Sequence, residues 1–268
     1  MARGFSTPIW GPPLWRILHT LGSQMSTKTK TQPWLHPTSA SIATVRKIAT
    51  WLHTLCSILP CSFCRDSYTQ FLTVLATNGP LDQVITNGNL FKWSYDLHEL
   101  INDKLDTQHV TKTIVPLFTQ ANCPSAVETE LFQNKAYRGR RITFECVQKR
   151  YAITPVSFSV HDVWTVLAIF ALNYSDNPNK DPESIKKVHD FIIFVSLFPT
   201  ILNECGMPEL AAYLLSIPLN DSDLVSVASI FAWIVRLWLP DASESTISLE
   251  MQRYQLAQAS ACLDGSCI

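Results

Sequence analysis

The stretch that decides the fold is Phe91-Lys92-Trp93-Ser94-Tyr95-Asp96-Leu97-His98-Glu99-Leu100-Ile101-Asn102-Asp103-Lys104-Leu105. Phe91, Tyr95, His98, Asn102 and Leu105 follow a 4-3-4-3 spacing, the period of one helical face, so an aromatic–His–Asn stripe faces inward. Asn87-Gly88-Asn89 marks the start of this helix. The same period extends upstream. Pro12-Pro13 opens a helix, because the first turn does not need the missing N–H, and it runs through Trp15, Leu18 and His19 to about Met25. Ser26–Pro37 is polar, carries two prolines and reads as a loop. Thr38 and Ser39 offer N-caps for a helix through Val45, Ile48, Leu52 and Leu55, stopped near Pro60 because proline disfavours a helical residue before it. A third helix begins around Cys61 and ends near Asn78-Gly79-Pro80. Four helices with short breaks predict an all-α fold led by a four-helix-bundle unit.

Composition agrees. The 268 residues are 47% hydrophobic and 16% charged, enough for a substantial core and against disorder. The balance of 21 basic and 22 acidic residues argues against an electrostatic nucleic-acid binder. Eight glycines are few for a Rossmann-type or all-β chain. The longest apolar runs, 163–172, 191–202 and 224–239, fall short of the roughly 18 to 20 uninterrupted residues that span a bilayer. Met1–Thr7 lacks the pattern of a signal peptide, so disulfide chemistry would have to work in a normally reduced compartment.

The sharpest chemical signal is Leu59-Pro60-Cys61-Ser62-Phe63-Cys64. Two cysteines at i and i+3 on a helix N-terminus share a face, and the helix end favours a thiolate there. A redox dithiol needs that arrangement, since its disulfide must close and reopen with little backbone motion. The alternatives are half of a zinc site completed by Cys262 and Cys267, or two buried apolar fillers. Trp15 and His19 share a face four residues apart, and His98 and Asn102 lie on the fourth helix. Aromatic surfaces with a few aimed polar groups suit a flat heteroaromatic cofactor between helices.

Trp10-Gly11-Pro12-Pro13-Leu14-Trp15-Arg16-Ile17-Leu18-His19, the Cys61–Cys64 motif and Trp93–Leu105 together resemble the three motifs of the Erv/ALR FAD-linked sulfhydryl oxidases over about residues 9 to 110. The WGPxxWxxLH form is most similar to the compact versions encoded by large cytoplasmic DNA viruses. The resemblance implies that Cys64 is the flavin-proximal cysteine and Cys61 the distal one that exchanges with incoming dithiols. It implies FAD as cofactor, with Trp10, Gly11, Trp15, His19, Trp93, His98, Asn102 and Leu105 around it and no metal. Electrons would pass from thiol-containing protein substrates through Cys61–Cys64 to FAD and then to molecular oxygen, giving hydrogen peroxide. Two positions depart from the family pattern: Glu99 stands where an Asn follows the His, and Thr107-Gln108 where a Lys-Pro is usual. Expected partners exclude nucleic acid and a membrane span, and the chain would be a monomer or homodimer. The expected location is a cytoplasmic or nuclear host compartment or a viral assembly site, with the virion included.

Residues 111–159 read as a linker whose basic run, Lys135, Arg138, Arg140, Arg141, Lys149 and Arg150, is a solvated face. Helical periodicity returns over residues 160–268, punctuated by Pro182, Pro199, Pro208, Pro218 and Pro240. This half reads as a degenerate second copy: Trp164 parallels Trp15, Ala168 replaces His19, and Thr200 and Asn203 after Pro199 replace the two cysteines. Ala232 and Arg236 then replace His98 and Asn102. Cys262 and Cys267 on the tail form a candidate shuttle pair. Cys56 reads as packing, and Cys123, Cys146 and Cys205 have no partner that sequence can assign. The rival functional class is a non-enzymatic helical scaffold with structural zinc on Cys61, Cys64, Cys262 and Cys267. A third option is a flavin-free relay that only exchanges disulfides.

Overall fold

The computed structural model describes residues 7–31, 39–108, 143–153, 158–174, 182–224 and 226–263. Among them lie eleven α-helices and no strand, as the helical periodicity requires. They are α1 (Thr7–Thr31), α2 (Ser39–Ile58), α3 (Ser62–Leu75), α4 (Leu81–Thr86), α5 (Leu90–Gln108) and α6 (Phe144–Ile153). The second half adds α7 (Val160–Leu172), α8 (Pro182–Glu204), α9 (Pro208–Ser216), α10 (Val227–Trp238) and α11 (Glu244–Leu263). Two compact units interleave along the chain. One comprises Met1–Leu14, Ser39–Gln70 and Phe158–Ile268, the other Trp15–Thr38 and Phe71–Ser157.

In the first unit α2 packs along α8. Trp51, with no exposed surface, stacks on Phe194 and Phe198 at ring-centroid distances of 4.9 and 5.7 Å. Beside this stack Ser57 donates to Asp190, which also pairs with Lys186. Helix α7 is buried on every side from Asp162 to Ala171, as a helix apolar all round must be. Its start is a capping box: Asp162 N–H donates to Ser159 Oγ, and Ser159 N–H donates to the Asp162 carboxylate.

In the second unit the remainder of α1 meets α5 at Gly22. A Cβ there would lie 2.7 Å from Phe91 Cα and 2.9 Å from its N, so only glycine lets the two backbones come this close. The turn from α4 into α5 places Gly88 at φ 71°, in the left-handed region that glycine tolerates.

Three expectations change. Helix α1 begins at Thr7 rather than Pro12, with Pro8 in the first turn and Pro12 and Pro13 inside the helix. Gly11, lacking a Cβ, removes part of the clash that a proline makes with the residue before it. The helix also continues through Ser26 to Thr31, shortening the expected loop, whose residues 32–38 lie outside the described residues. Pro199 sits inside α8 instead of breaking it. A buried helix held on several sides, with Phe191, Phe194, Phe198 and Leu202 in the core, tolerates one missing N–H. No helix among the described residues is long and apolar enough to cross a membrane.

Candidate active site

The dithiol sits in the first unit, on the break that Pro60 makes between α2 and α3. The break is held from two sides. Arg65 donates from Nη1 to the Leu59 carbonyl at 2.8 Å, and Asn173, which caps the C-terminus of α7, donates to the same carbonyl at 3.3 Å. The last carbonyls of α2, left without helical donors, are satisfied in this way. Cys61 then takes the N-cap position of α3, its carbonyl accepting from Cys64 N–H and Arg65 N–H at 3.1 and 3.0 Å. Its sulfur accepts from the Cys64 backbone N–H at 3.2 Å.

That cap changes the acidity of the sulfur. The Cys61 thiol is lowered from 9.0 to about 6, first by the hydrogen bond from Cys64's side chain, against the effect of burial. The backbone N–H groups of Cys64 and Phe63 and the Arg65 guanidinium add to the lowering. Cys56, Cys61, Cys64 and Cys205 are thiols. Cys56, on α2, is raised by burial, which suits packing rather than reaction. Phe63, between the two cysteines, is 59% exposed.

A second constellation lies in the other unit. Trp15 and His98 are stacked at 4.1 Å and 10° between planes, and His19 lies nearly parallel to both. Phe91 and Tyr151 meet His19 edge-on at 6.2 and 5.9 Å. Hydrogen bonds fix the tautomers. Ser94 Oγ donates its only proton to the Phe91 carbonyl at 2.8 Å, so it accepts from His19 Nδ1–H at 3.0 Å. His19 Nε2 is therefore the acceptor, and His98 Nδ1–H donates to it at 3.2 Å. His98 Nε2 is left with a lone pair to offer a ligand. Both rings are neutral. Burial lowers His98 to about 4, and burial, then His98, then Arg150 lower His19.

Among the predicted cofactor residues, the structure brings together Trp15, His19 and His98. Asn102, one turn after His98, donates to the Glu99 carboxylate at 3.1 Å, so the acid in the unusual position orients this amide. Trp93 is buried on another face of α5, five residues before His98. Trp10 and Gly11 belong to the first unit, where Trp10 meets Phe170 edge-on at 6.1 Å. The side chains of Leu105 and Cys262, and all of Cys267, lie outside the described residues. The sequence reading missed Ser94, which could have been found at four residues before His98 on the same face. It also missed α6 within residues 111–159. Phe144 packs on Phe91 and Tyr95 at 5.5 and 5.4 Å, and Tyr151 on Phe91 at 5.4 Å. Cys146, buried on this helix, is disulfide-bonded.

The chemistry of the set fits a flat heteroaromatic group such as FAD: the half-buried rings of Trp15 and His98 are aromatic surfaces of the kind that stack on it, and a neutral imidazole and an oriented amide would bond to it. A separate cleft of about 290 Å³ in the same unit does not fit, because Asp96, Glu99 and Asp103 line it and would repel phosphate.

Fold and sites thus define an all-helical protein with an N-capping dithiol. Residues 12–121 match the model of the Erv1 / Alr family, which supports the resemblance carried by the motifs. The match takes in Trp15, His19, Cys61, Cys64 and Trp93–Leu105 and leaves out the second half. No curated protein and no solved structure matches the chain.

Proposed function

We propose that the protein is a thiol oxidase that makes disulfide bonds in protein substrates. The observation that carries this reading is the Cys61 sulfur capping α3, with its thiol lowered to about 6. In the oxidised state, a substrate thiolate attacks Cys61 Sγ, the Cys61–Cys64 bond breaks, and Cys64 leaves as a thiolate. A second substrate thiolate then attacks the substrate sulfur of the mixed disulfide, and Cys61 leaves. The substrate loses two electrons and gains one disulfide, and the Cys61–Cys64 pair takes both electrons. A low-pKa sulfur is the better leaving group in that second step, and stabilising it as a thiolate makes the disulfide a stronger oxidant. Bound FAD supplies the two-electron acceptor that restores the Cys61–Cys64 disulfide and reduces oxygen to hydrogen peroxide. Trp15, His19, His98 and Asn102 would hold its flat ring system, with the Ser94–His19–His98 chain keeping His98 an acceptor.

The oxidase chemistry is assigned to residues 1–110, with residues 160–268 as a degenerate counterpart. Supporting this, α7, α8, α9 and α10 follow one another as α1, α2, α3 and α5 do, with α4 lacking a counterpart and Pro199 inside α8 where Pro60 stands at a break, and Trp164 is in the core. The viral affinity rests on the form of the first motif alone. Cys64→Ser is the decisive variant. It is expected to abolish oxygen consumption with a dithiol while the flavin absorbance is retained, and full turnover by it rejects the assignment. A colourless wild type carrying stoichiometric zinc would favour the structural-metal alternative.

A further inference from the structure

We infer that Asn173, in the second half of the chain, is a positioning residue for the dithiol: its amide holds the carbonyls that end α2, and through them the Pro60 break on which Cys61 sits. This role rests on the thiol-oxidase reading above and gives the half without a CxxC a part in that chemistry. Asn173 caps the C-terminus of α7, in the same compact unit as the dithiol. Its backbone N–H donates to the Phe170 carbonyl at 3.1 Å. The next residue, Tyr174, is buried and donates from its hydroxyl to the Leu224 carbonyl at 3.1 Å. From that anchored turn the Asn173 side chain donates to the carbonyls of Ile58 at 3.4 Å and Leu59 at 3.3 Å. With two carbonyl oxygens on one side, only Nδ2 can face them, which orients the amide.

Carbonyls at a helix C-terminus carry partial negative charge, and these two precede Cys61 by three and two residues. Negative charge there opposes the thiolate that the α3 cap favours. Asn173 and Arg65 both donate to the Leu59 carbonyl, Arg65 at 2.8 Å, and so set N–H groups against that charge. They also hold the chain where it turns at Pro60, and with it the 3.2 Å approach of the Cys64 N–H to the Cys61 sulfur. Glu183 reaches Arg65 from the second half as well, at 3.8 Å, but its side chain is 84% exposed and such a pair is worth little. Asn173 is therefore the residue through which the second half acts on the sulfur. A purely structural asparagine would hold α7 to α2 and leave the acidity of the sulfur alone.

The test uses the reduced full-length protein, alkylated with iodoacetamide across a pH series, with the Cys61 and Cys56 peptides read separately by mass spectrometry. Asn173→Leu keeps the size of the side chain and removes its donors. It is expected to raise the Cys61 midpoint by about half a pH unit, the lower end of the range for one hydrogen bond, because both bonds are long. Labelling of Cys56, on α2, should stay at the wild-type level, and a rise in it alongside the Cys61 shift would mark a loosened fold and overturn the inference. A second readout is the equilibrium in which two glutathione thiols reduce the Cys61–Cys64 disulfide to the dithiol and form glutathione disulfide. Near pH 7 a half-unit rise weakens the support that the thiolate gives the dithiol, so the balance should move toward the protein disulfide by about twofold to threefold. A variant midpoint within about 0.2 unit of wild type overturns the inference. Should Asn173→Leu not fold, Asn173→Ala is judged by the same limit. If wild-type Cys61 titrates near 6 and the variant does not differ, this inference fails and the oxidase reading stands. A shifted midpoint in a protein that binds no flavin upholds the inference and rejects the oxidase reading. If wild-type Cys61 titrates near 9.0, both fail.

Discussion

Replacing Gly22 by alanine should loosen the second unit at the point that aligns its histidines. The added Cβ would sit 2.7 Å from Phe91 Cα, 2.9 Å from Phe91 N and 3.1 Å from the Leu90 carbonyl carbon. All three are backbone atoms, so no side-chain rotation relieves the clash. Reaching an ordinary contact of 3.4 Å requires α1 and α5 to part by about 0.7 Å. The same displacement along the His19 Nδ1–Ser94 Oγ bond would stretch it from 3.0 to about 3.7 Å, beyond a hydrogen bond. Overpacking costs about 1–3 kcal/mol, and a lost buried hydrogen bond adds about 1 kcal/mol. Alanine returns about 1 kcal/mol in helix propensity. The net loss is about 1–3 kcal/mol, or a fall of about 2–10 °C in Tm for a chain of this size. Gly11→Ala is the comparison, because apart from its chain neighbours nothing lies within 4 Å of its added Cβ. Its helix-propensity gain of up to about 1 kcal/mol is offset by the clash of the new Cβ with Pro12, so it should destabilise less than Gly22→Ala. Calorimetric melting of both variants is the assay. A Gly22→Ala protein as stable as wild type would mean that the close approach of α1 and α5 does not set their spacing.

Alkylation of reduced Cys61 by iodoacetamide should show a midpoint near pH 6, the value to which its thiol is lowered, and Cys64→Ala should move that midpoint upward by removing the largest cause; mass spectrometry of the labelled peptide reads both. His98 is lowered from 6.5 to about 4 in the folded protein, so the unfolded chain takes up its proton first. Its contribution to stability is therefore complete above pH 6.5 and is lost as pH falls toward 4, and urea unfolding of His98→Asn should show a shallower decline over that window. Trp51→Ala should cost about 3–5 kcal/mol by emptying the stack on Phe194 and Phe198. Trp51→Phe should cost well under that, because the buried indole N–H that it removes has no hydrogen-bond partner among the described residues, and equal losses in urea unfolding would contradict this account.

Pro60 and Pro199 show where local signals suffice and where they fail. Each follows an apolar helix, and sequence assigns both the same breaking role. Only Pro60 breaks, because Arg65 and Asn173 supply donors to the carbonyl of Leu59 just ahead of it, and Cys61 caps the helix that follows. Pro199 instead lies in a helix whose flanking Phe194, Phe198 and Leu202 are fully buried, so breaking it would disrupt the packing of the first unit. The difference lies in partners distant in sequence, which periodicity cannot report. Helix α6 was hidden for a related reason. Ten residues give too few turns for a clear stripe, and its placement comes from Phe144 and Tyr151 meeting rings on α5 and α1. The spacing on α5 puts His98 in the stripe with Tyr95 and passes over Ser94. Spacing favoured Tyr95, whose ring meets Phe144, whereas Ser94 anchors the histidine pair. A 4-3 pattern identifies a face to within one residue, and on a face this narrow one residue separates a packing ring from the hydroxyl that sets a tautomer.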